Sequence, residues 1–74
     1  MFAPETTQLH ALLDRYERPL IRYAMSIVGD LENARDAVQD TFIRYVRDEG
    51  APRGEGTEKH VEAWLFTVCR HRAI

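Results

Sequence analysis

With one cysteine, Cys69, the chain cannot form an internal disulfide, and a reducing compartment is the natural setting. No apolar run approaches the roughly 20 residues that a membrane-spanning helix needs. The N-terminus has no basic segment followed by an apolar stretch, so no signal peptide is legible. These absences lead to the expectation of a cytoplasmic protein with no membrane partner. Positive charge is not in excess either. Ten Lys and Arg against 12 Asp and Glu leave a net charge of −2, whereas a free-standing DNA-binding module is usually basic. Strong DNA affinity of the isolated chain is therefore not expected. No strand pattern and no internal repeat competes with a helical reading. Three of the four glycines lie between Gly50 and Gly56, which marks that short segment as a loop.

What remains is charged, apolar and periodic. At 74 residues, 45% hydrophobic and 30% charged, the chain is expected to form a single small domain over 1–74 with a well-solvated surface. The charge is uneven: Lys59 to Ile74 carries three basic residues, one acidic residue, His60 and His71, and the remainder is net acidic. Any nucleic-acid contact therefore belongs toward the C-terminal end.

Three amphipathic patterns follow one another. Leu9, Leu12, Leu13, Tyr16, Leu20, Tyr23, Ala24 and Ile27 fall on one stripe at about 100° per residue. Pro19 lies inside the pattern without resetting its phase, which predicts one helix over about 7–28, kinked near Pro19, capped by Thr6 or Thr7 and ended by Gly29. Asp30 caps a second helix, predicted over 31–49, with Ala34, Val38, Thr41, Phe42 and Tyr45 inward and Gly50 as its stop. After the Gly-rich loop, Thr57 caps a third, 58–73, with Val61, Trp64, Leu65 and Val68 inward. Short connections between such helices predict an all-α three-helix bundle. The last pattern runs to Ile74 with no stop signal, which is the expectation for a fragment of a longer chain.

The second pattern carries the candidate site. With Ala34 set at zero, Gln39 falls at about 140°, Ile43 at about 180°, Asp36 at about 200°, Arg47 at about 220° and Asp40 at about 240°, all opposite the apolar stripe. On angles alone the row reads equally well as a solvated face with an Asp40–Arg44 pair or as a docking surface. Ile43, apolar in the middle of a charged face, favours docking. Catalysis finds little support. Glu32, Asp36 and Asp40 form a carboxylate line, but di-metal bundle sites point inward and need Glu-x-x-His partners, which are absent. Cys69 and His71 project about 200° apart and cannot share an ion. No metal, no cofactor and no enzymatic activity are expected.

The segment Ala34-Arg35-Asp36-Ala37-Val38-Gln39-Asp40-Thr41-Phe42-Ile43 resembles the helix Ala-x-Asp-x-x-Gln-(Asp/Glu)-x-Phe of region 2 in bacterial RNA polymerase sigma factors of the extracytoplasmic-function (ECF) group. Leu20-Ile21-Arg22-Tyr23-Ala24 with Gly29-Asp30 resembles that group's first helix and turn. Ala63-Trp64-Leu65-Phe66-Thr67-Val68-Cys69-Arg70 resembles its last helix. The resemblance implies a transcription initiation domain in which Asp36, Gln39 and Asp40 dock on the clamp coiled coil of the polymerase's largest subunit; Ile43 and Arg47, which share that face by angle, join them as candidates for the same contact. It also implies that the loop and third helix read and melt the minus-ten promoter element, which makes Arg53, Lys59, His60, Thr67, Arg70, His71 and Arg72 candidates for DNA contact. Arg70, Arg72 and Lys59 suit phosphates; Thr67 and His71 suit bases or sugars. An anti-sigma factor is a further implied partner. The alternative is a helical protein–protein module, a sigma-like decoy or regulator without DNA binding.

Overall fold

The computed structural model describes residues 4–47, 50–52 and 56–74. They form three helices: α1 (Pro4–Val28), α2 (Leu31–Val46) and α3 (Glu58–Ala73). The all-α three-helix architecture expected from periodicity is the one observed, and no strand occurs among the described residues.

α1 begins at Pro4, not at a Thr6 or Thr7 cap. Proline suits a first helical position: its fixed φ is already helical, and its missing N–H is one the first turn would leave unbonded anyway. The helix continues through Pro19. Pro19 and Arg15, whose carbonyl loses its donor, are both exposed residues. α1 ends where Gly29 turns left-handed at φ 71° and donates its N–H to the Met25 carbonyl at 2.8 Å. An L side chain there would meet steric cost, which glycine avoids. One residue later the extended Asp30 opens α2, its Oδ2 accepting from the Asn33 N–H at 2.9 Å. The joint is thus two residues long, and α2 must fold back against α1.

α2 stops at Val46, with Arg47 as its C-cap, short of the predicted 49; residues 48–49 lie outside the described set. Gly50 is left-handed at φ 83°, and Ala51 is buried against the bundle. Thr57 occupies the N-cap position of α3. Its carbonyl accepts from Val61 N–H at 2.7 Å, but its hydroxyl makes no capping bond, contrary to the sequence expectation.

The core is the convergence of three stripes: Tyr16, Leu20 and Ala24 from α1; Ala34, Ala37, Val38, Thr41, Phe42 and Tyr45 from α2; Val61, Leu65 and Cys69 from α3. Ala24 and Ala34 are fully buried, and such small side chains let backbones approach closely. Tyr45 meets Trp64 edge-on with ring centroids 6.2 Å apart, and Tyr23 meets Phe66 in the same way at 5.3 Å. Moving up α2 from Tyr45 toward Asp40 corresponds to moving along α3 from Trp64 toward Arg72, so these helices are antiparallel. Predicted and observed core positions differ at Ile27, Trp64 and Cys69. Ile27 is partly exposed, whereas Ile21, Met25 and Val28 pack on the core. Trp64 is half-buried at the edge of the core, and Cys69 takes the fully buried place beside Leu65.

Candidate functional site

α2 is clasped on its inner side by α1 and α3, so its outer side is what the domain offers. Asp36, Gln39 and Arg47 are exposed, and Ile43 retains 43% of its surface despite being apolar. This is the outward row that the angles predicted, with one correction. Asp40 does not stand free. Its side chain is only 31% exposed and lies on the α3 side of the helix. Its Oδ2 accepts a hydrogen bond from Arg44 Nε at 2.9 Å, the intrahelical pair expected at i, i+4 spacing. The same oxygen faces Arg72 Nε on α3 at 3.6 Å. The physical reason is phase: at about 240° Asp40 has rotated past the outermost line and reaches toward the neighbouring helix.

The opposite flank of the row opens into a groove between α1 and α2 of about 860 Å³. Its floor is apolar, with Leu13, Ile21, Val38 and Phe42, and Gln39, Ile43 and Arg47 stand along one wall. Glu17, Arg18, Arg35 and Val46 complete the rim, and Val46 is 60% exposed. Sequence reasoning confined the surface to α2 and missed this contribution from α1. The signal was present: Leu9, Leu13, Glu17 and Ile21 recur at i, i+4 spacing, a ridge at the border of the core stripe.

On α3, Lys59, His60, Thr67, Arg70, His71 and Arg72 are all exposed. Arg53 lies outside the described residues. Arg70, His71 and Arg72 crowd the last turn, where positive charge complements the helix dipole. Arg70 and Arg72 point about 200° apart: Arg70 lies on the outward side with Thr67, whereas Arg72 turns toward α2. There it lines a crevice of about 230 Å³ with Val28, Asn33, Asp36, Ala73 and Ile74. The six described candidates thus divide into an outer set on α3 and one cation held at the α2–α3 seam.

Behind the row the chemistry is that of packing. Thr41 donates its hydroxyl to the Ala37 carbonyl at 2.8 Å and is buried. Cys69 packs beside it. Burial pushes its thiol pKa up, and a hydrogen bond with Thr41 partly opposes this. A thiol shifted that way is a poor nucleophile at neutral pH. Among the described residues no group of three His, Cys, Asp or Glu side chains is arranged to hold a metal ion, and no helix is long and apolar enough to cross a membrane.

The model of the sigma-70 region 2 family matches residues 12–74. The chain is similar to the ECF RNA polymerase sigma factor SigL of Mycobacterium tuberculosis, with 38% identity over 73 residues, covering 97% of this chain and 40% of that protein. It is also similar to the ECF RNA polymerase sigma factor SigX of Bacillus subtilis, with 33% identity over 70 residues, covering 95% and 34%. To the RNA polymerase sigma factor YlaC of the same organism it is 29% identical over 63 residues, covering 85% and 35%. No solved structure matches it significantly. The chain belongs to the sigma-70 region 2 family, as a region 2 domain of the ECF group. It spans well under half the length of the curated relatives it matches.

Proposed function

We propose that this domain acts in transcription initiation in the cytoplasm, docking on the clamp coiled coil of the RNA polymerase largest subunit through the outer face of α2 and contacting the minus-ten promoter element through α3 and the loop before it. The observation that carries the reading is the exposure of Asp36, Gln39 and Ile43 as one continuous row on α2. Asp36 supplies a charge for a basic partner side chain and Gln39 an amide, while Ile43 gives the interface an apolar centre that excludes water. Arg47 and the α1–α2 groove extend the same surface. The role of the domain is binding and positioning; the polymerase performs the chemistry. The overall acidity of the chain fits a division of labour in which the polymerase brings the DNA and α3 refines the contact, because non-specific affinity rises with basic charge. Anti-sigma factors that cover the same row would act by competition.

The DNA-facing half is tested in a complex of this chain with core polymerase, using fluorescently labelled single-stranded promoter DNA. Arg70→Glu is expected to leave polymerase binding intact and to weaken the DNA contact. Unchanged DNA affinity in that variant would reject the DNA role and leave the protein–protein module.

A further inference from the structure

Arg72 belongs by chain position to the DNA-facing helix, yet its guanidinium faces the docking helix. Its Nε stands 3.6 Å from Asp40 Oδ2, and the crevice it lines is shared with Asp36. Two carboxylates of the docking row therefore flank one cation of α3. The contact is loose in a specific sense. Asp40 Oδ2 already takes a direct hydrogen bond from Arg44 at 2.9 Å, whereas 3.6 Å is beyond hydrogen-bond reach. The Arg72 side chain is 51% exposed, so solvent competes for it. A second cation approaching Asp40 would displace Arg72 before Arg44.

We infer that the Asp40–Arg72 ion pair is an internal latch: it withholds Arg72 from nucleic acid in the free domain and releases it when a basic side chain of a docking partner takes Asp40. The inference rests on the docking and DNA readings above and adds a coupling between them. Linkage makes the coupling reciprocal, so DNA phosphate that takes Arg72 exposes Asp40 to the partner by the same factor. Exposed ion pairs are worth little, which sets the expected coupling at about 1.5- to 5-fold in affinity. A latch of this size tunes binding without preventing release.

The test is a double-mutant cycle on this chain alone, measuring affinity for a labelled single-stranded oligonucleotide at low salt, with helix content checked by circular dichroism. Asp40→Asn is expected to tighten binding by about 1.5- to 5-fold and to steepen the log–log salt dependence by about 0.7, one additional phosphate on single-stranded DNA. In the Arg72→Gln background both gains should vanish. If Asp40→Asn tightens binding equally when Arg72 is absent, the effect is only the removal of a negative charge and the latch is refuted. If Arg70→Glu weakens oligonucleotide binding while Asp40→Asn leaves it unmoved, α3 contacts DNA but the latch does not exist. No measurable binding by any variant overturns the latch, which requires Arg72 of the free domain to reach nucleic acid, and leaves the DNA reading of α3 to the polymerase complex.

Discussion

The buried thiol of Cys69 makes the stability of this domain depend on pH in a direction that the structure dictates. Cys69 is fully buried, 0% exposed, where the three helices meet, and burial raises its pKa above the ordinary thiol value, about 8.5 in an unfolded chain. Above that pH the unfolded chain has lost a proton that the folded chain retains, so rising pH favours unfolding. The stabilisation is fully present below about pH 8.5 and drains away as pH climbs toward the folded-state value, with a slope of at most about 1.4 kcal/mol per pH unit. A 74-residue domain is expected to hold about 4–11 kcal/mol in total, so one such unit removes roughly an eighth to a third of it. Urea denaturation of wild type and Cys69→Ala between about pH 7 and 9.5 measures the effect. The variant is expected to start about 1 kcal/mol lower, from the lost volume, but to stay flat where the wild type declines. A parallel decline in both proteins would show that other groups titrate and that the Cys69 argument is wrong.

Two further substitutions probe how the helices are set against each other. Asp30→Ala removes the carboxylate that accepts from Asn33 N–H and should cost about 1 kcal/mol in denaturant unfolding; no loss would mean that the two-residue joint is fixed by Gly29 and packing alone. Tyr23 and Phe66 meet edge-on across α1 and α3, so a cycle of Tyr23→Leu and Phe66→Leu should return a coupling of about 0.5–1.5 kcal/mol. Simple additivity of the two losses would discount the ring contact.

Element type and order were legible because period and punctuation agreed. The phase that survived Pro19, the Gly29-Asp30 joint and the inward face of α2 all follow from spacing. What was not legible followed from geometry between helices. A one-helix angle puts Asp40 outward, but only the position of α3 brings Arg72 to it. Likewise α1 contributes Leu13 and Ile21 to the groove beside Gln39 and Ile43, which a wheel drawn for α2 alone omits. Cys69 was considered as a metal ligand, although four residues after Leu65 it continues the inner stripe of α3 and is core. Phe66, off that stripe, had no partner in the periodicity and found Tyr23 on α1.

The central claim is that the exposed row of α2 is a grip for core RNA polymerase, and its most direct test is the equilibrium affinity of this chain for that enzyme. Asp36→Arg with Gln39→Ala reverses one charge and deletes one amide at exposed positions, where the fold itself has little at stake. Losing a charge-assisted hydrogen bond, worth about 1.5–3 kcal/mol, predicts at least a tenfold weaker complex, roughly. The Arg70→Glu control should bind as wild type does. A folded double variant that binds core polymerase as tightly as the wild type would contradict the account.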